Sequence, residues 1–325
     1  MLTAVITGVA GQDGSYLSEL LLEKGYQVIG ITRRKSASDN TQNLSEVMNH
    51  KNFKLIYGDL NDSTFIYRVL YDYKPLEWYN LAAMSHVGQS FKEPIATQEI
   101  NANSVLKQLE AIRLFSPYTK FYEANTSEIL GGVNCPIDGY TEDSPFYPRS
   151  PYGVSKLTAF WSIKNYREAY NVFACNGILH NHSSPRRGMD FATRKITSGV
   201  AKVRFGLQKN VTMGNLKSFR DEGHSKDYVK AMHLMLQQKE PEDFLIATGK
   251  GASIGQMLEY CCDIAGLNFQ EVYQKDEQYF RPSEVNYLLG NPKKAKQKLN
   301  WEPTYTWQDL LKEMYYNDVK ILENS

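Results

Sequence analysis

The chain has 325 residues, of which 42% are hydrophobic and 22% charged, a composition typical of a folded globular protein. Its 37 basic and 36 acidic residues leave a formal net charge of +1, so composition supports neither a nucleic acid nor an anionic membrane surface as a partner. The first residues lack the pattern of a secretory signal, and no apolar stretch is long enough to span a bilayer. We therefore expect a cytoplasmic protein, and a phosphorylated small molecule remains a suitable ligand.

Neither the cysteines nor the histidines show the spacing of a metal site. Cys135, Cys175, Cys261 and Cys262 fit no zinc pattern and no CxxC redox pair, which predicts reduced thiols. The six histidines are scattered along the chain. We predict that the protein needs no metal.

Short apolar runs alternate with helical patterns through the first half of the chain. The predicted strands cover residues 2–7, 26–31, 53–57, 76–81 and 120–123. Helical patterns cover residues 15–24, 65–73 and 96–115. This alternation predicts an α/β fold with a Rossmann-type, doubly wound parallel sheet and right-handed crossovers. Such a sheet binds its ligand at the carboxyl ends of its strands.

A glycine motif connects the first strand to the first helix. Gly8, Gly11 and Gly14 lie in the stretch TGVAGQDGSYL, with Gln12 and Asp13 between them. Glycines let the backbone turn tightly and approach a pyrophosphate, and the helix N-terminus adds free N–H groups and a positive dipole end. Glycines also end strands for ordinary reasons, but the strand–motif–helix order favours a dinucleotide cofactor.

The end of the second strand indicates which dinucleotide binds. An NAD enzyme usually has a carboxylate there, whereas this chain has Thr32, Arg33, Arg34 and Lys35. Guanidinium groups suit the 2′-phosphate of NADP, and a solvated basic turn is the alternative. Further predicted cofactor contacts follow the third and fourth strands, namely Asp59, Leu60, Leu81, Ala83 and Ser85.

A YxxxK pair follows the fifth strand. Tyr152 and Lys156 occur in SPYGVSK, and a spacing of four places both on one helix face. The lysine ammonium favours the phenolate, so we predict a tyrosine with a pKa near neutral that takes a proton from a sugar hydroxyl while a hydride leaves. A solvated helix pair is the alternative, which the upstream Thr-Ser disfavours.

That upstream element is NTSE, which contains Thr126 and Glu128. Thr126 is placed to hydrogen-bond the hydroxyl that is oxidised. Oxidation acidifies the neighbouring C–H, and Glu128 is placed to remove that proton and to protonate a departing hydroxyl. A sugar-nucleotide epimerase or C4-dehydrogenase would not need this second acid/base. Both enzymes, a non-enzymatic cofactor-binding protein and a purely capping role for Glu128 remain alternatives.

Longer stretches carry a resemblance. They include ITGVAGQDGSYL, TSE, FYPRSPYGVSK, CNGILHNHSSPRRG, GNLKSFRDEGHSKDYVKAM, PEDFLIATG and FRPSEVNYLLGNPKKAKQKLNW. Over nearly its whole length the chain resembles the GDP-mannose 4,6-dehydratase family of the extended short-chain dehydrogenase/reductase superfamily. The resemblance implies C4 oxidation by NADP with Tyr152 as base, supported by Lys156 and Thr126. Loss of water across C5 and C6 with Glu128, and return of the hydride to C6, would follow.

The resemblance also implies contacts in the second half of the chain. The expected substrate-binding residues are Ser85, Asn181, Lys195, Arg220, Arg281 and Glu284. Arg187 falls near the nicotinamide side of the cofactor, which makes it a further cofactor contact, and Tyr152 and Lys156 are expected to contact the cofactor as well. The family also suggests a homotetramer, in which residues 33–43 approach a neighbouring cofactor site.

The chain departs from the usual family pattern near the expected sugar pocket. Leu130-Gly131-Gly132 replaces an aromatic-glycine pattern, Ser183 replaces a glutamate, Glu222 replaces a tryptophan and His180 replaces an apolar aromatic. Smaller or more polar side chains there lead to the hypothesis that a larger sugar, such as a GDP-manno-heptose, is also accepted.

The regular alternation of strands and helices ends at about residue 180, after which short strands, helices and polar loops are mixed. We predict an NADP-binding Rossmann domain over residues 1–180. Residues 181–325 would form mainly a smaller, mixed α/β lobe that binds the GDP-sugar. Some of its segments, including one near residues 244–247, would return to the sheet.

Overall fold

The computed structural model describes residues 1–34, 41–132, 134–276 and 283–324. Its strands are β1 (Thr3–Thr7), β2 (Gln27–Thr32), β3 (Phe53–Tyr57), β4 (Glu77–Asn80), β5 (Lys120–Thr126), β6 (Ala174–Leu179), β7 (Asn181–Ser183), β8 (Val211–Met213), β9 (Phe219–His224), β10 (Phe244–Ile246), β11 (Gly251–Ser253), β12 (Tyr273–Lys275) and β13 (Tyr287–Leu288). Its α-helices are α1 (Gln12–Glu23), α2 (Ser63–Tyr73), α3 (Val87–Ser90), α4 (Pro94–Gln98), α5 (Ser104–Phe115), α6 (Pro151–Tyr170), α7 (Ala192–Arg204), α8 (Ser225–Leu236), α9 (Ile254–Ala265), α10 (Phe269–Val272), α11 (Lys293–Leu299) and α12 (Trp307–Glu323).

A seven-stranded parallel sheet forms the centre of the fold, in the order β3-β2-β1-β4-β5-β6-β10. One face packs against α1, α8 and α11 and the other against α2, α5 and α6, so the central strands are buried on both sides. This arrangement confirms the predicted doubly wound α/β fold. The strand order reverses between β1 and β4, which is where such sheets bind ligands.

The helix predicted over residues 96–115 is interrupted. A π-helical turn at Glu99–Asn103 separates α4 from α5. The Asn101 side chain is buried in this turn, where it accepts a hydrogen bond from Met84 N and donates to Met84 O and Ser155 Oγ. The helical periodicity of the sequence does not show this interruption, because the contacts of Asn101 are made with residues from other parts of the chain. Such π turns are frequent at functional sites.

The second half of the chain builds a smaller layer beside the sheet. Strand β9 pairs with β7, β11 and β13, while α7, α9 and α12 enclose a separate apolar core. The segment expected to return to the sheet does so as β10, which pairs with β6. The division at residue 180 stays a prediction. Among the residues that the structure describes, no helix combines the length and the apolar composition needed to cross a membrane.

Candidate active site

A cleft of about 1530 Å³ lies between the carboxyl ends of the sheet and the smaller layer. We call its two sides the sheet wall, formed by the ends of β1, β4 and β5 with the first turns of α1 and α6, and the lobe wall, formed by β7, β9 and the first turn of α7. All the predicted site residues that the structure describes line this cleft. Arg281 and Lys35 lie outside the described residues, as do most of residues 33–43.

The glycine turn on the sheet wall packs closely against neighbouring backbone, so two of its positions have no room for a side chain. Gly8 has a φ of 65°, and a Cβ there would lie 2.9 Å from backbone atoms of Ala82. A Cβ on Gly14 would lie 2.6 Å from the Cα of Val9. Helix α1 then begins without a side-chain cap at Gly11. Its uncapped N–H groups therefore fit a pyrophosphate.

Gln12 and Asp13 connect the sheet wall to the lobe wall. Gln12 Nε2 donates to the carbonyl of His182 at 3.0 Å, and Ser184 Oγ donates to Gln12 Oε1 at 3.1 Å. Asp13 Oδ2 lies 2.9 Å from Nε2 of His182. Burial would raise the pKa of Asp13, but the His182 ring and Arg187 outweigh it and hold that pKa below its ordinary value.

The end of β2 and the turn after β3 form the far end of the cleft. Arg33 is exposed there, and Arg34 lies with its guanidinium 5.3 Å from the Tyr57 ring centre. Asp59 Oδ1 accepts a hydrogen bond from Asn61 N at 2.9 Å. The described part of this end of β2 therefore presents guanidinium groups where an NAD enzyme would present a carboxylate.

Helix α6 carries the YxxxK pair into the cleft. Ser150 caps the helix by accepting a hydrogen bond from Gly153 N at 3.0 Å, and Pro151 occupies the first turn. The Tyr152 and Lys156 side chains are 8% and 2% exposed. The predicted pair is thus buried against β5 rather than solvated on a helix surface.

Thr126 and Glu128 lie beside this pair at the end of β5. Thr126 is the last strand residue, and its hydroxyl accepts a hydrogen bond from Glu128 N at 3.2 Å. Glu128 follows in a 3-10 turn and is 7% exposed. A hydroxyl, a carboxyl group and a phenol therefore line the same part of the cleft, where the Thr126 hydroxyl hydrogen-bonds the phenol of Tyr152.

The pKa of Tyr152 does not lie near neutral pH in the protein without ligands. Burial raises the pKa of Tyr152 and has the largest effect, while the Lys156 ammonium and a hydrogen bond with Thr126 lower it. The charge of Glu128 raises the pKa further, and that of Arg187 lowers it. The prediction of a near-neutral tyrosine from the YxxxK spacing is therefore wrong for the protein without ligands, since desolvation outweighs the lysine.

Lys156 has a partner that the motif analysis missed. Its Nζ donates to Glu123 Oε1 at 2.8 Å and to the carbonyl of Ala124 at 2.8 Å. Burial would lower the pKa of Lys156, but Glu123 outweighs it, so that pKa lies above its ordinary value. The available signal was a carboxylate inside the strand KFYEANT, because a strand buried on both faces rarely holds an unpaired charge.

Two departures from the family pattern meet on the lobe wall. Ser183 Oγ donates to Glu222 Oε1 at 2.6 Å and lies 2.8 Å from Thr193 Oγ1. Burial raises the pKa of Glu222, with Ser183 and Arg187 acting against it. The carboxylate absent at position 183 is thus supplied from the neighbouring strand, a contact that needs the β7–β9 pairing.

Other cationic groups surround this carboxylate. Arg187 donates from Nη1 to His182 O at 3.1 Å, and its guanidinium lies over the Phe191 ring at 3.9 Å. Arg220 donates to Phe219 O at 2.9 Å, and its Nη2 lies 3.9 Å from Glu284. The lobe wall is therefore dense in fixed charge.

The first turn of α7 adds a second helix end to the cleft. Its N-cap, Phe191, provides no side-chain cap. Lys195 lies in the first turns of this helix, and burial lowers its pKa. A helix N-terminus beside a lysine is an arrangement that binds phosphate groups. Asn181 lies in the same wall, and His180 next to it is buried with its pKa lowered by burial to about 3.

Comparison with known proteins agrees with this geometry. A family model described as GDP-mannose 4,6 dehydratase matches residues 5–314. A GDP-mannose 4,6-dehydratase from Vibrio cholerae is 48% identical, with 98% of this chain and 94% of the relative covered. The human enzyme is 46% identical, with 99% and 92% covered.

The fold is shared more widely. A UDP-glucose 4-epimerase structure from Thermotoga maritima superposes with a TM-score of 0.87 at 25% identity, covering 99% of this chain and all of the other. A dTDP-glucose 4,6-dehydratase structure from Bacillus anthracis in complex with NAD gives a TM-score of 0.87 at 21% identity, covering 99% and 98%. With its match along the chain and its identity to curated relatives, the protein belongs to the GDP-mannose 4,6-dehydratase family.

Proposed function

We propose that the protein removes water across C5 and C6 of a GDP-linked sugar, with a nicotinamide dinucleotide that is NADP. The convergence of Thr126, Glu128, Tyr152 and Lys156 in one buried corner of the cleft carries this proposal. A nicotinamide dinucleotide held along the glycine turn would supply the hydride chemistry, as acceptor at C4 of the sugar and donor at C6. The net product is the GDP-4-keto-6-deoxy sugar and one water.

The side chains move the protons of this reaction. Tyr152 takes the proton of the C4 hydroxyl, with Thr126 orienting that hydroxyl and Lys156 stabilising the phenolate. The new C4 ketone acidifies the C5 hydrogen. Glu128 removes it and then protonates the leaving C6 hydroxyl, which departs as water. The proton held by Tyr152 returns at C5 when C6 is reduced, so that the atoms balance.

The proposal of NADP over NAD is supported by the end of β2. Arg33 is exposed beside the Gly58-Asp59 turn and lines the same cleft as the glycine motif. A guanidinium binds a phosphate through charge-assisted hydrogen bonds. The cofactor contacts at Gly8, Gly11, Gln12, Asp13, Gly14, Asp59, Leu60, Leu81, Ala83, Ser85, Tyr152, Lys156 and Arg187 are part of the same proposal.

The lobe wall is proposed to hold the GDP moiety. The uncapped N-terminus of α7 and Lys195 suit the diphosphate, while Arg220 adds a further cation. Glu284, whose carboxylate suits the donor edge of guanine, completes the pocket. Asn181 and, from sequence alone, Arg281 are proposed to contact the GDP moiety as well, and Ser85 is proposed as a further substrate contact.

The sugar itself is proposed to include GDP-D-glycero-D-manno-heptose besides GDP-mannose. The Ser183–Glu222 pair replaces a glutamate and a bulky tryptophan with two smaller polar side chains on the lobe wall. The buried, neutral His180 stands where an apolar aromatic is usual. Each change favours a sugar with an additional hydroxyl-bearing carbon.

An epimerase or C4-dehydrogenase activity is the weaker candidate. The similarity to an epimerase structure is one of fold at 25% identity, whereas the curated relatives at 46% to 48% identity are dehydratases. Glu128 also argues against these activities, because only the elimination of water needs a second acid/base.

We further propose a homotetramer, with a cytoplasmic location kept as a prediction from the sequence. Two neighbouring helices carry apolar side chains that are 43% to 52% exposed in one chain, at Leu106, Leu114, Val154 and Trp161. Exposed apolar side chains that are adjacent in space are typical of subunit contacts, and these four lie on helices that pack against each other. Light scattering of the purified protein measures the assembly.

Mass spectrometry of the product tests the proposed reaction. The protein with NADP is incubated separately with GDP-mannose and with GDP-D-glycero-α-D-manno-heptose, without added reductant. Loss of one water from either substrate is the expected result. Unchanged mass with both would favour an epimerase. A kcat/KM that is about tenfold or more in favour of GDP-mannose would reject the heptose proposal, since that ratio corresponds to the loss of about 1.4 kcal/mol of transition-state binding.

A further inference from the structure

A chain of hydrogen bonds ends on the buried carboxylate of Glu123. Leu81 N and Ala82 N both donate to Thr7 Oγ1 at 3.1 Å, so the Thr7 hydroxyl must give its own proton to Asn80 Oδ1, at 2.7 Å. This fixes the orientation of the Asn80 amide, whose Nδ2 donates to Glu123 Oε2 at 2.6 Å. In this series of hydrogen bonds, each group donates in the direction of Glu123.

The second carboxylate oxygen of Glu123 accepts a hydrogen bond from Lys156, the proposed catalytic lysine. Lys156 Nζ lies 2.8 Å from Oε1 and 2.8 Å from the carbonyl of Ala124. Glu123 is fully buried and Lys156 is 2% exposed, so solvent screens this ion pair little. Two of the three ammonium protons are thus held by β5, which leaves one direction for the ammonium to address the cleft.

We propose that Glu123 is a positioning residue of the reaction, which acts through Lys156 to hold the ammonium in place and charged, and thereby sets the pH range in which Tyr152 works as the base. This inference rests on the proposed role of Tyr152. Motif spacing does not provide it, because Glu123 lies 33 positions from Lys156 on a different element.

The charges facing this corner determine the direction of the effect. Tyr152 shares the helix of Lys156, Glu123 faces them from β5, Glu128 from the turn after β5 and Arg187 from the segment after β7. Removing one negative charge lowers the pKa of every neighbouring acid, because it makes proton loss easier. A neutral side chain at position 123 therefore lowers the pKa of both the phenol and the ammonium.

The test compares the pH profile of kcat/KM for wild type and Glu123→Gln at saturating NADP. Both limbs are expected to move to lower pH. The limb that follows Lys156 should move by about one unit or more, because an opposite charge in contact commonly shifts a pKa by that amount, and the limb that follows Tyr152 should move less, because Glu123 contacts the ammonium and not the phenol. A well-folded Glu123→Gln protein with the wild-type profile, or with limbs moved to higher pH, would overturn the proposal.

Glu77→Gln is the matched control. Glu77 is also a buried carboxylate, on which Tyr26 Oη, Tyr79 Oη and Gln237 Nε2 converge at 3.1, 2.7 and 2.9 Å, but it lies at the other end of β4, away from the cleft. Glu77→Gln likewise replaces a buried, hydrogen-bonded carboxylate with an amide, and the thermal stability of both variants is measured beside their pH profiles. The pH profile of Glu77→Gln is expected to match that of wild type. If it shifts as much as the profile of Glu123→Gln, the shift reflects general destabilisation of the fold and not a positioning role of Glu123.

If Glu123→Gln does not fold, Glu123→Asp tests the positioning role instead. It keeps the charge and shortens the reach to Lys156, so we expect a lower kcat with limbs at wild-type pH. A kcat and a profile both equal to wild type would contradict a positioning role.

A readout independent of turnover separates this proposal from the proposed reaction. Tyrosine labelled with ¹³C at Cζ is titrated by NMR in the wild-type and Glu123→Gln proteins, with the Tyr152 signal assigned from its loss in Tyr152→Phe. The Tyr152 signal is expected to titrate at lower pH in Glu123→Gln. An inactive wild type would reject the reaction and leave this result valid, whereas an unmoved Tyr152 signal would reject the role of Glu123.

Discussion

The two walls of the cleft are built in different ways. The sheet wall consists of backbone turns and strand ends from a rigid parallel sheet, with its functional side chains buried and tied into strands, as Lys156 is to Glu123. The lobe wall consists of short strands and a helix end, and its side chains form charge contacts such as Ser183 with Glu222. Chemistry needs fixed geometry, whereas recognition needs complementary charge. We therefore expect variants of the sheet wall to alter mainly kcat and those of the lobe wall mainly KM.

The largest effect is expected for Tyr152→Phe. Loss of the base should lower kcat by about a thousandfold or more, because positioned acid–base groups contribute on the order of 10²–10⁴ and Lys156 then has no phenolate to stabilise. NADP affinity, measured by fluorescence titration, should stay within a few-fold. Tyr122→Phe is the control, since that buried hydroxyl has no partner among the described residues. A kcat near wild type for Tyr152→Phe would contradict the expectation that the sheet wall carries the chemistry.

Glu128→Gln should separate oxidation from elimination. We expect product formation to fall by about a hundredfold or more while C4 oxidation persists, because the amide cannot accept the C5 proton. Mass spectrometry should then find a species that has lost two hydrogens, with reduced cofactor in equal amount. A variant that still releases dehydrated product at the wild-type rate would remove Glu128 from the mechanism.

Lys195→Met tests the lobe wall. Loss of a charged contact to the diphosphate should raise the KM for the GDP-sugar by about 10- to 100-fold, since a hydrogen bond to a charged group contributes about 1.5–3 kcal/mol. The kcat should change little. Lys202→Met, on the same helix but outside the cleft, should leave both constants unchanged. A lowered kcat with an unchanged KM for Lys195→Met would show that the lobe wall takes part in the chemistry.

The smallest effect is expected for Arg33→Ser. The side chain is exposed, so solvent and salt weaken its contribution, and NADP affinity should fall by about tenfold. The affinity for NAD serves as the internal control, because that cofactor lacks the 2′-phosphate and should bind equally to both proteins. An equal loss for both cofactors would place the role of Arg33 elsewhere.

The sheet wall could be largely predicted from the sequence because its signals are local. The glycine turn, the helix cap at Ser150 and the spacing of Tyr152 and Lys156 each lie within one short segment, and the structure places them in one cleft. Alternation of strands and helices likewise fixes the doubly wound sheet, because parallel strands need crossovers.

The lobe wall and the electrostatics of the site could not be predicted in the same way. The pairing of Ser183 with Glu222 depends on two strands that are 39 positions apart, and that of Glu123 with Lys156 on a strand and a helix that meet only in the fold. The pKa of Tyr152 was predicted in the wrong direction because spacing shows the neighbouring lysine but not the burial that outweighs it.

The path of the hydride distinguishes a 4,6-dehydratase from the other candidate enzymes. GDP-mannose carrying deuterium at C4 is incubated with the protein and NADP, and the product is analysed by mass spectrometry and NMR. We expect loss of one water with the deuterium retained at C6, because the same cofactor would take the hydride and return it. Deuterium that remains at C4, or is absent from a product that has lost two hydrogens, would contradict a 4,6-dehydratase.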